Sequence, residues 1–126
     1  MFSEEIKNQQ PFVTKLFEAA ILKDKLAHAF MFTQSQAWIQ YKFSLELAKI
    51  LNCNNKINTK PCNTCIDCNW INANNHPAII TVSPLDYLES KTEKLDTSKS
   101  KNIIKVAQAR ILQKELLISS RYTRVV

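Results

Sequence analysis

The sequence contains no glycine among its 126 residues. Glycine normally supplies the positions at which a loop wraps closely around a phosphate group or turns through positive φ. Its absence excludes a glycine-rich phosphate-binding loop of the usual kind. We therefore do not expect a loop of this protein to wrap closely around a phosphate group.

A long hydrophobic run is also absent. No apolar stretch approaches the roughly 18 residues that a membrane-spanning helix needs. The opening Met-Phe-Ser-Glu-Glu-Ile-Lys is too polar and acidic for a secretory signal. These absences predict a cytoplasmic protein that does not contact a membrane.

The composition is that of a globular chain, with 45% hydrophobic residues and a formal net charge of +6. Residues 1–126 are long enough to bury one core and too short for two domains.

The net charge lies in residues 99–126, which carry seven Lys or Arg residues against Glu115 alone. Such a stretch can meet phosphate or an acidic partner. A solvated helix surface is the favoured reading, because aromatic residues do not alternate with the cations, and direct contact with nucleic acid stays open.

Hydrophobic periodicity predicts alternating helices and strands. The predicted helices are 11–23, 41–51 and 103–118, with a short one around Trp70 and Ile71. The predicted strands are 27–33, 78–82 and 123–126, and the predicted loops are the polar 34–40 and the flexible 85–102. This order is typical of an α/β fold with an open parallel sheet, in which a loop aims a helix N-terminus at a ligand. Because a core strand would begin so close to residue 126, we expect a piece of a longer protein.

Four cysteines form the strongest local motif, with the pattern Cys53-x8-Cys62-x2-Cys65-x2-Cys68. A reducing cytoplasm disfavours two disulfides, and a redox pair would need an isolated dithiol. The Cys-x2-Cys spacing brings two thiolates onto one tetrahedral Zn²⁺. Four thiolates leave no open position for water, so the predicted site is structural and not hydrolytic. Lys56, Lys60 and backbone N–H groups are candidates to offset its formal charge of −2.

Five segments together resemble the front of the AAA+ ATPase modules of DNA polymerase III clamp loaders. They are Leu-Ala-His-Ala-Phe-Met-Phe-Thr at 26–33, Leu-Ala-Lys-Ile-Leu-Asn-Cys at 47–53, the cysteines at 62–68, Asn-His-Pro-Ala-Ile-Ile-Thr-Val at 75–82, and the spaced residues of 104–113. The resemblance covers nearly the whole chain. It implies an incomplete AAA+ parallel sheet of the P-loop type with flanking helices and a four-cysteine zinc module inserted at 53–68.

The chain departs from this family at the phosphate-binding loop. The family's Gly-x-x-Gly-x-Gly-Lys-Thr falls on residues 34–41 without a gap. Gln34, Ala37 and Ile39 replace the glycines, Gln40 replaces the Lys, and Tyr41 replaces the Mg²⁺-ligating hydroxyl. Without the cation and the convergent amides a triphosphate has no favourable site, so we expect no ATP binding.

In lacking this loop, the chain resembles the delta-prime type of subunit within the family. The resemblance then implies a subunit without catalysis, which works with the other clamp-loader subunits and, through them, with the sliding clamp and primed DNA. The family's Walker B strand, its trans-acting arginine and its collar domain would lie beyond Val126. Two alternatives are an ATP-binding motor subunit of the same family and a stand-alone zinc module that binds nucleic acid.

Histidines and tryptophans give weaker signals. His28 is expected to be a hydrogen-bonded packing residue, and His76 is expected to shape the turn before Pro77. Trp38 and Trp70 could stack on bases, but filling a core or an interface is the favoured interpretation.

Overall fold

The computed structural model describes residues 1–33, 36–83 and 104–126. Five helices are present in these ranges: α1 (Glu4–Gln9), α2 (Pro11–Leu22), α3 (Ala37–Asn52), α4 (Ile66–Asn72) and α5 (Val106–Leu117). The chain divides into two compact units, Met1–His76 and Pro77–Val126. Across the described ranges, no helix has the length and apolar character needed to cross a membrane.

The predicted helices are present with shifted boundaries, the largest shift being at the start of α3, and α1 was not predicted. Helix α2 has Pro11 at its first position, where a missing N–H costs nothing. Helix α3 begins at Ala37, so the expected polar loop at 34–40 is wrong for residues 37–40. Ala37 and Ile39 are compatible with a helix, and burial of Ile39 at 6% exposure stabilises the added turn. The expected flexible loop at 85–102 lies outside the described residues.

The core of the first unit is built around aromatic rings. Phe43 of α3 stacks on Phe2 with 4.6 Å between ring centroids, and it meets Phe17 of α2 edge-on at 4.9 Å. Phe32 approaches Phe43 at 5.4 Å. The other buried members of the core are Ile6, Ile39, Leu47 and Ile50. Helix α1 packs on α2 and α3, and α4 packs on α3.

The predicted parallel sheet is not confirmed. Residues 27–33 are described, and they contain no strand. The segment was also expected to be buried, and this is wrong, because residues 27–31 and 33 are exposed. Phe30 and Phe32 nevertheless pack against Phe17, with ring centroids 4.7 and 6.2 Å apart. A strand also needs a hydrogen-bonded neighbour, and within the described ranges 27–33 pairs with none.

The other two predicted strands meet at a single position in the second unit. Ile79 and Val125 form an isolated parallel bridge. The Ile80 N–H donates to the Val125 carbonyl at 2.8 Å, and the Val125 N–H donates to the Ala78 carbonyl at 2.9 Å. The bridge has the parallel direction expected of the sheet, but it does not extend into a ladder.

Both ends of helix α5 are held by side chains of the second unit. The buried Gln108 accepts from the Lys105 N–H at 2.8 Å and donates to the Ser83 carbonyl at 2.7 Å. The Arg124 guanidinium donates to the carbonyls of Glu115 and Ile118. These contacts satisfy groups that a helix terminus leaves without intrahelical partners.

Turns through positive φ are made without glycine. Five residues adopt positive φ among the described ranges, and four of them are Asn or Asp: Asp24, Asn58, Asn63 and Asn74. Short polar side chains tolerate this left-handed region best after glycine. The fifth residue, Thr59, has φ 66° and is β-branched, which makes it the most strained of the set. Absence of glycine therefore does not exclude left-handed turns here.

We expect Phe43→Ala to destabilise the first unit strongly. The substitution removes a ring that contacts three other rings, and such changes cost about 3–5 kcal/mol. Phe12→Ala is the matched control, because Phe12 is 78% exposed and should cost less than about 0.5 kcal/mol. Urea denaturation followed by circular dichroism measures both. Equal losses in the two variants would contradict this description of the core.

Candidate functional site

Two helices and the loop between them bring the four cysteines together. Cys53 follows the last residue of α3, and its N–H closes that helix on the Lys49 carbonyl at 2.8 Å. Cys65 is the N-cap of α4, and Cys68 lies in the first turn of the same helix. Cys62 lies in the connecting loop. Packing of α3 against α4 therefore determines where the two ends of the motif meet.

The sulfur atoms are close enough to share one metal ion. Cys53 Sγ lies 3.6 Å from Cys62 Sγ and 3.9 Å from Cys65 Sγ. All four sulfurs lie within 4.8 Å of one another. Four thiolates bound to one ion at about 2.3 Å in a tetrahedron would be separated by about 3.8 Å. The donor set and the spacing therefore fit a metal ion with a soft, tetrahedral preference, and four protein ligands would fill its coordination sphere.

Backbone amides point at three of the sulfurs. The Cys62 N–H donates to Cys53 Sγ at 3.4 Å, the Cys65 N–H to Cys62 Sγ at 3.2 Å, and the Cys68 N–H to Cys65 Sγ at 3.4 Å. Asn63, at φ 57°, makes the left-handed turn within the first Cys-x2-Cys element. Such donors stabilise negative charge on sulfur, as expected for backbone N–H groups around thiolates.

The electrostatic environments of the cysteines differ. The Thr64 N–H, together with the Cys65 N–H, lowers the pKa of Cys62 to about 6, so that Cys62 is a thiolate at neutral pH. Burial raises the pKa of the Cys68 thiol well above its usual range. A raised pKa favours the protonated thiol at Cys68. A bound dication would instead favour the thiolate, because metal coordination deprotonates a thiol. Metal binding at this cluster would therefore be coupled to proton release, including release from Cys68.

A cation lies beside the cysteine segment, although not one of those expected. Lys49 of α3 donates through Nζ to Asn63 Oδ1 at 3.4 Å. Lys56 and Lys60 are exposed, and the Lys60 backbone forms an isolated antiparallel bridge with Ile57. A role for Lys56 and Lys60 in balancing the charge of the thiolates stays a prediction.

A buried polar pair next to the cysteines was missed by the sequence reasoning. Asp67 of α4 is fully buried, and its Oδ1 lies 3.5 Å from Nε2 of the buried His76. Asn54 Nδ2 donates to Asp67 Oδ2. An acidic residue inside a Cys-x2-Cys spacing was the available signal. His76 therefore contacts Asp67, and its role in shaping the turn before Pro77 stays a prediction.

The residues aligned with a phosphate-binding loop have contacts of their own. Gln34 lies outside the described residues, and Ala37, Ile39, Gln40 and Tyr41 all belong to α3. The N–H groups of Ile39 and Gln40 both donate to the Gln36 carbonyl, at 3.0 and 3.3 Å. Gln40 Nε2 lies 3.5 Å from the Phe32 carbonyl, and the Tyr41 hydroxyl donates to Asn74 Oδ1 at 2.8 Å. This segment therefore forms the start of a packed helix.

Several weaker candidates lie at the surface. His28 is exposed, so the expectation that it packs is wrong. Trp38 and Trp70 are 47% and 39% exposed, so neither fills a core, and an interface role stays a prediction. In the basic C-terminal stretch, Arg121 lies over the Tyr122 ring at 4.8 Å. Arg124 closes α5, so part of this charge already binds protein groups.

Comparisons with known proteins identify relatives of this chain. Residues 9–124 match a family described as DNA polymerase III, delta subunit. The DNA polymerase III subunit delta' of Bacillus subtilis (strain 168) is 35% identical over 81 residues, which is 64% of this chain. The chain spans 24% of that relative's length. No solved structure gives a significant match. Both matches confirm the resemblance drawn from the sequence motifs.

Proposed function

The chain belongs to the DNA polymerase III delta subunit family, and we propose that it acts as part of a delta-prime-type clamp-loader subunit. In this proposal residues 1–126 are the N-terminal part of one AAA+-like domain, with a zinc module at 53–68. The subunit works in the cytoplasm with the other clamp-loader subunits and, through them, with the sliding clamp and primed DNA. It carries out no catalysis of its own and supports the loading of the clamp during DNA replication.

The observation that carries the non-catalytic part of the proposal is the start of α3. A phosphate-binding loop presents free backbone N–H groups and a lysine to the ligand. Here the N–H groups of Ile39 and Gln40 are bound to the Gln36 carbonyl, and the Ile39 side chain is buried in the core. A phosphate cradle would require unwinding this turn and exposing Ile39. The helix is therefore a rigid part of a scaffold and a poor place for ATP.

We assign structural Zn²⁺ to Cys53, Cys62, Cys65 and Cys68. Soft thiolate ligands in a tetrahedral arrangement favour this ion over the hard divalent cations. Four protein ligands leave no position for a reactive water, which favours a structural role. Zinc there would supply the cross-link between the end of α3 and the start of α4 when bound.

Two other functions fit parts of the chain less well. A motor subunit of the same family would need the phosphate-binding loop that α3 replaces. A stand-alone zinc module that binds nucleic acid would use the basic residues after position 98. Arg121 and Arg124 already contact protein groups there, so their charge is only partly available.

Assembly with partner subunits tests the proposed function directly. The protein in its natural length should elute with the remaining clamp-loader subunits as one complex in gel filtration without DNA. Its affinity for primed DNA alone, measured by fluorescence anisotropy, should be much weaker than that of the assembled complex. A protein that binds DNA tightly and joins no subunit would instead support the zinc nucleic-acid module.

Elemental analysis should find about one zinc per chain, because four thiolates at this spacing fill one tetrahedral site. Cys65→Ser should lose the metal and lower the melting temperature, since it removes one thiolate ligand while the serine hydroxyl can still cap α4. Thr64→Ser is the matched control, because it alters the neighbouring exposed residue and leaves every thiol in place. A folded, metal-free preparation with four titratable thiols would refute the assignment.

Neither ATP nor ADP should shift the melting temperature at millimolar concentration, because the N–H groups of Ile39 and Gln40 are already bound to the Gln36 carbonyl and no lysine is present at this turn. Gln40→Lys should not restore binding, since a single cation leaves the helix without a cradle for phosphate. Isothermal titration calorimetry checks both proteins. Saturable micromolar binding by the unaltered chain would favour the motor-subunit alternative.

A further inference from the structure

Asp67 is a fully buried carboxylate that is not one of the four thiol ligands. It lies in α4 between Cys65 and Cys68. Burying a carboxylate is costly unless hydrogen bonds or an opposite charge compensate it. A four-thiolate centre next to it carries negative charge of its own, which adds to the cost. The position of Asp67 therefore needs a specific explanation.

The side chains around Asp67 come from both ends of the cysteine segment and from the residues after α4. Asn54, which directly follows Cys53, donates from Nδ2 to Asp67 Oδ2 across 13 residues of sequence. His76 places Nε2 3.5 Å from Asp67 Oδ1, and both side chains are buried. The His76 ring also meets the Trp70 ring edge-on, with 6.3 Å between centroids. Asp67 is thus contacted from two sides, by a hydrogen bond from Asn54 and by the nearby His76 ring.

The Asn54–Asp67 hydrogen bond closes the same loop that a metal ion would close. Asn54 is one residue from Cys53, and Asp67 is one residue from Cys68. Joining them fixes the separation of the first and last thiols without using any sulfur. Contact with His76 limits the movement of the Asp67 side chain from the other side.

We propose that Asp67 is a positioning residue, which acts through Asn54 and His76 to hold the four thiols at metal-binding distance. The inference rests on the proposed zinc site and adds residues outside the ligand set. Groups beyond the ligands typically change metal affinity by about 10–100-fold when they are removed.

A role through charge and a role through positioning predict opposite changes in metal affinity when Asp67 is removed. If the carboxylate acted only through its charge, removing it would relieve repulsion with the thiolates and tighten metal binding. If it positions the ligands, Asp67→Ala weakens metal binding because Asn54 loses its acceptor. Asp67→Asn separates the two effects, since an amide oxygen can still accept from Asn54 while the charge is gone.

The test measures the Kd for Zn²⁺ by competition with a chromophoric chelator, together with the absorption spectrum of the Co²⁺-loaded chain. Asp67→Ala and Asn54→Ala should each weaken Zn²⁺ binding about 10-fold or more. The double variant should lose little beyond either single change, because both remove the same hydrogen bond. Asp67→Asn should stay within about threefold of the unaltered chain, and the Co²⁺ spectrum should remain that of a tetrahedral tetrathiolate.

Thr14→Val is the matched control for general loss of stability. Thr14 is buried in α2, where its hydroxyl donates to the Gln10 and Pro11 carbonyls, so the change weakens the first unit without touching the cysteine segment. Its Zn²⁺ affinity should be unchanged. Asn54 is exposed, so Asn54→Ala keeps the test decisive even if Asp67→Ala fails to fold.

Two results would overturn the inference while leaving the zinc site intact. One is unchanged or tighter Zn²⁺ binding in Asp67→Ala and Asn54→Ala. The other is an equal loss of affinity in Thr14→Val, which would assign the effect to general stability. If the unaltered chain bound neither Zn²⁺ nor Co²⁺, the proposed metal site itself would fail, and the inference with it.

Discussion

Burial of one face of α3 is the constraint on which the first unit depends. Ile39, Phe43, Leu47 and Ile50 recur at helical spacing, and all four are buried. The aromatic cluster around Phe43 fixes the rotation of the helix against α1 and α2. Because the first cysteine directly follows the end of α3, that rotation also decides where its sulfur points. The position of the core and that of the cysteine segment therefore depend on each other.

In our proposal, the same helix suits this chain to a structural role in its family. A phosphate-binding loop needs backbone N–H groups that are left free of helical hydrogen bonds. Extension of α3 to Ala37 binds the N–H groups of Ile39 and Gln40 to the Gln36 carbonyl, and Tyr41 anchors the following turn to Asn74. Once Ile39 contributes to the core, stability opposes any return to an open loop. In our proposal, the loss of nucleotide binding and the rigidity of this turn then have a common physical cause.

The segment between α3 and α4 holds its shape despite the lack of glycine. Asn58, Thr59 and Asn63 take left-handed conformations there, which most residues adopt only at a cost. Backbone N–H donors and the Asn54–Asp67 contact offset part of that cost. In our proposal, binding of a metal ion offsets the rest of the conformational cost. This explains how a short loop of polar residues can present four sulfurs to one point.

Local patterns in the sequence determined helices α2, α3, α4 and α5, the convergence of the cysteines and the family. Helical periodicity and Cys-x2-Cys spacing act over a few residues, so they can be read without knowledge of distant contacts. Tertiary structure alone decided that residues 27–33 form no strand. Their apolar pattern suits a strand, but within the described residues their backbone pairs with no neighbour. Tertiary structure also decided where α3 begins, because burial of Ile39 depends on α1 and α2. The Asp67 contacts were equally hidden, since Asn54 and His76 reach it only after α4 has packed on α3.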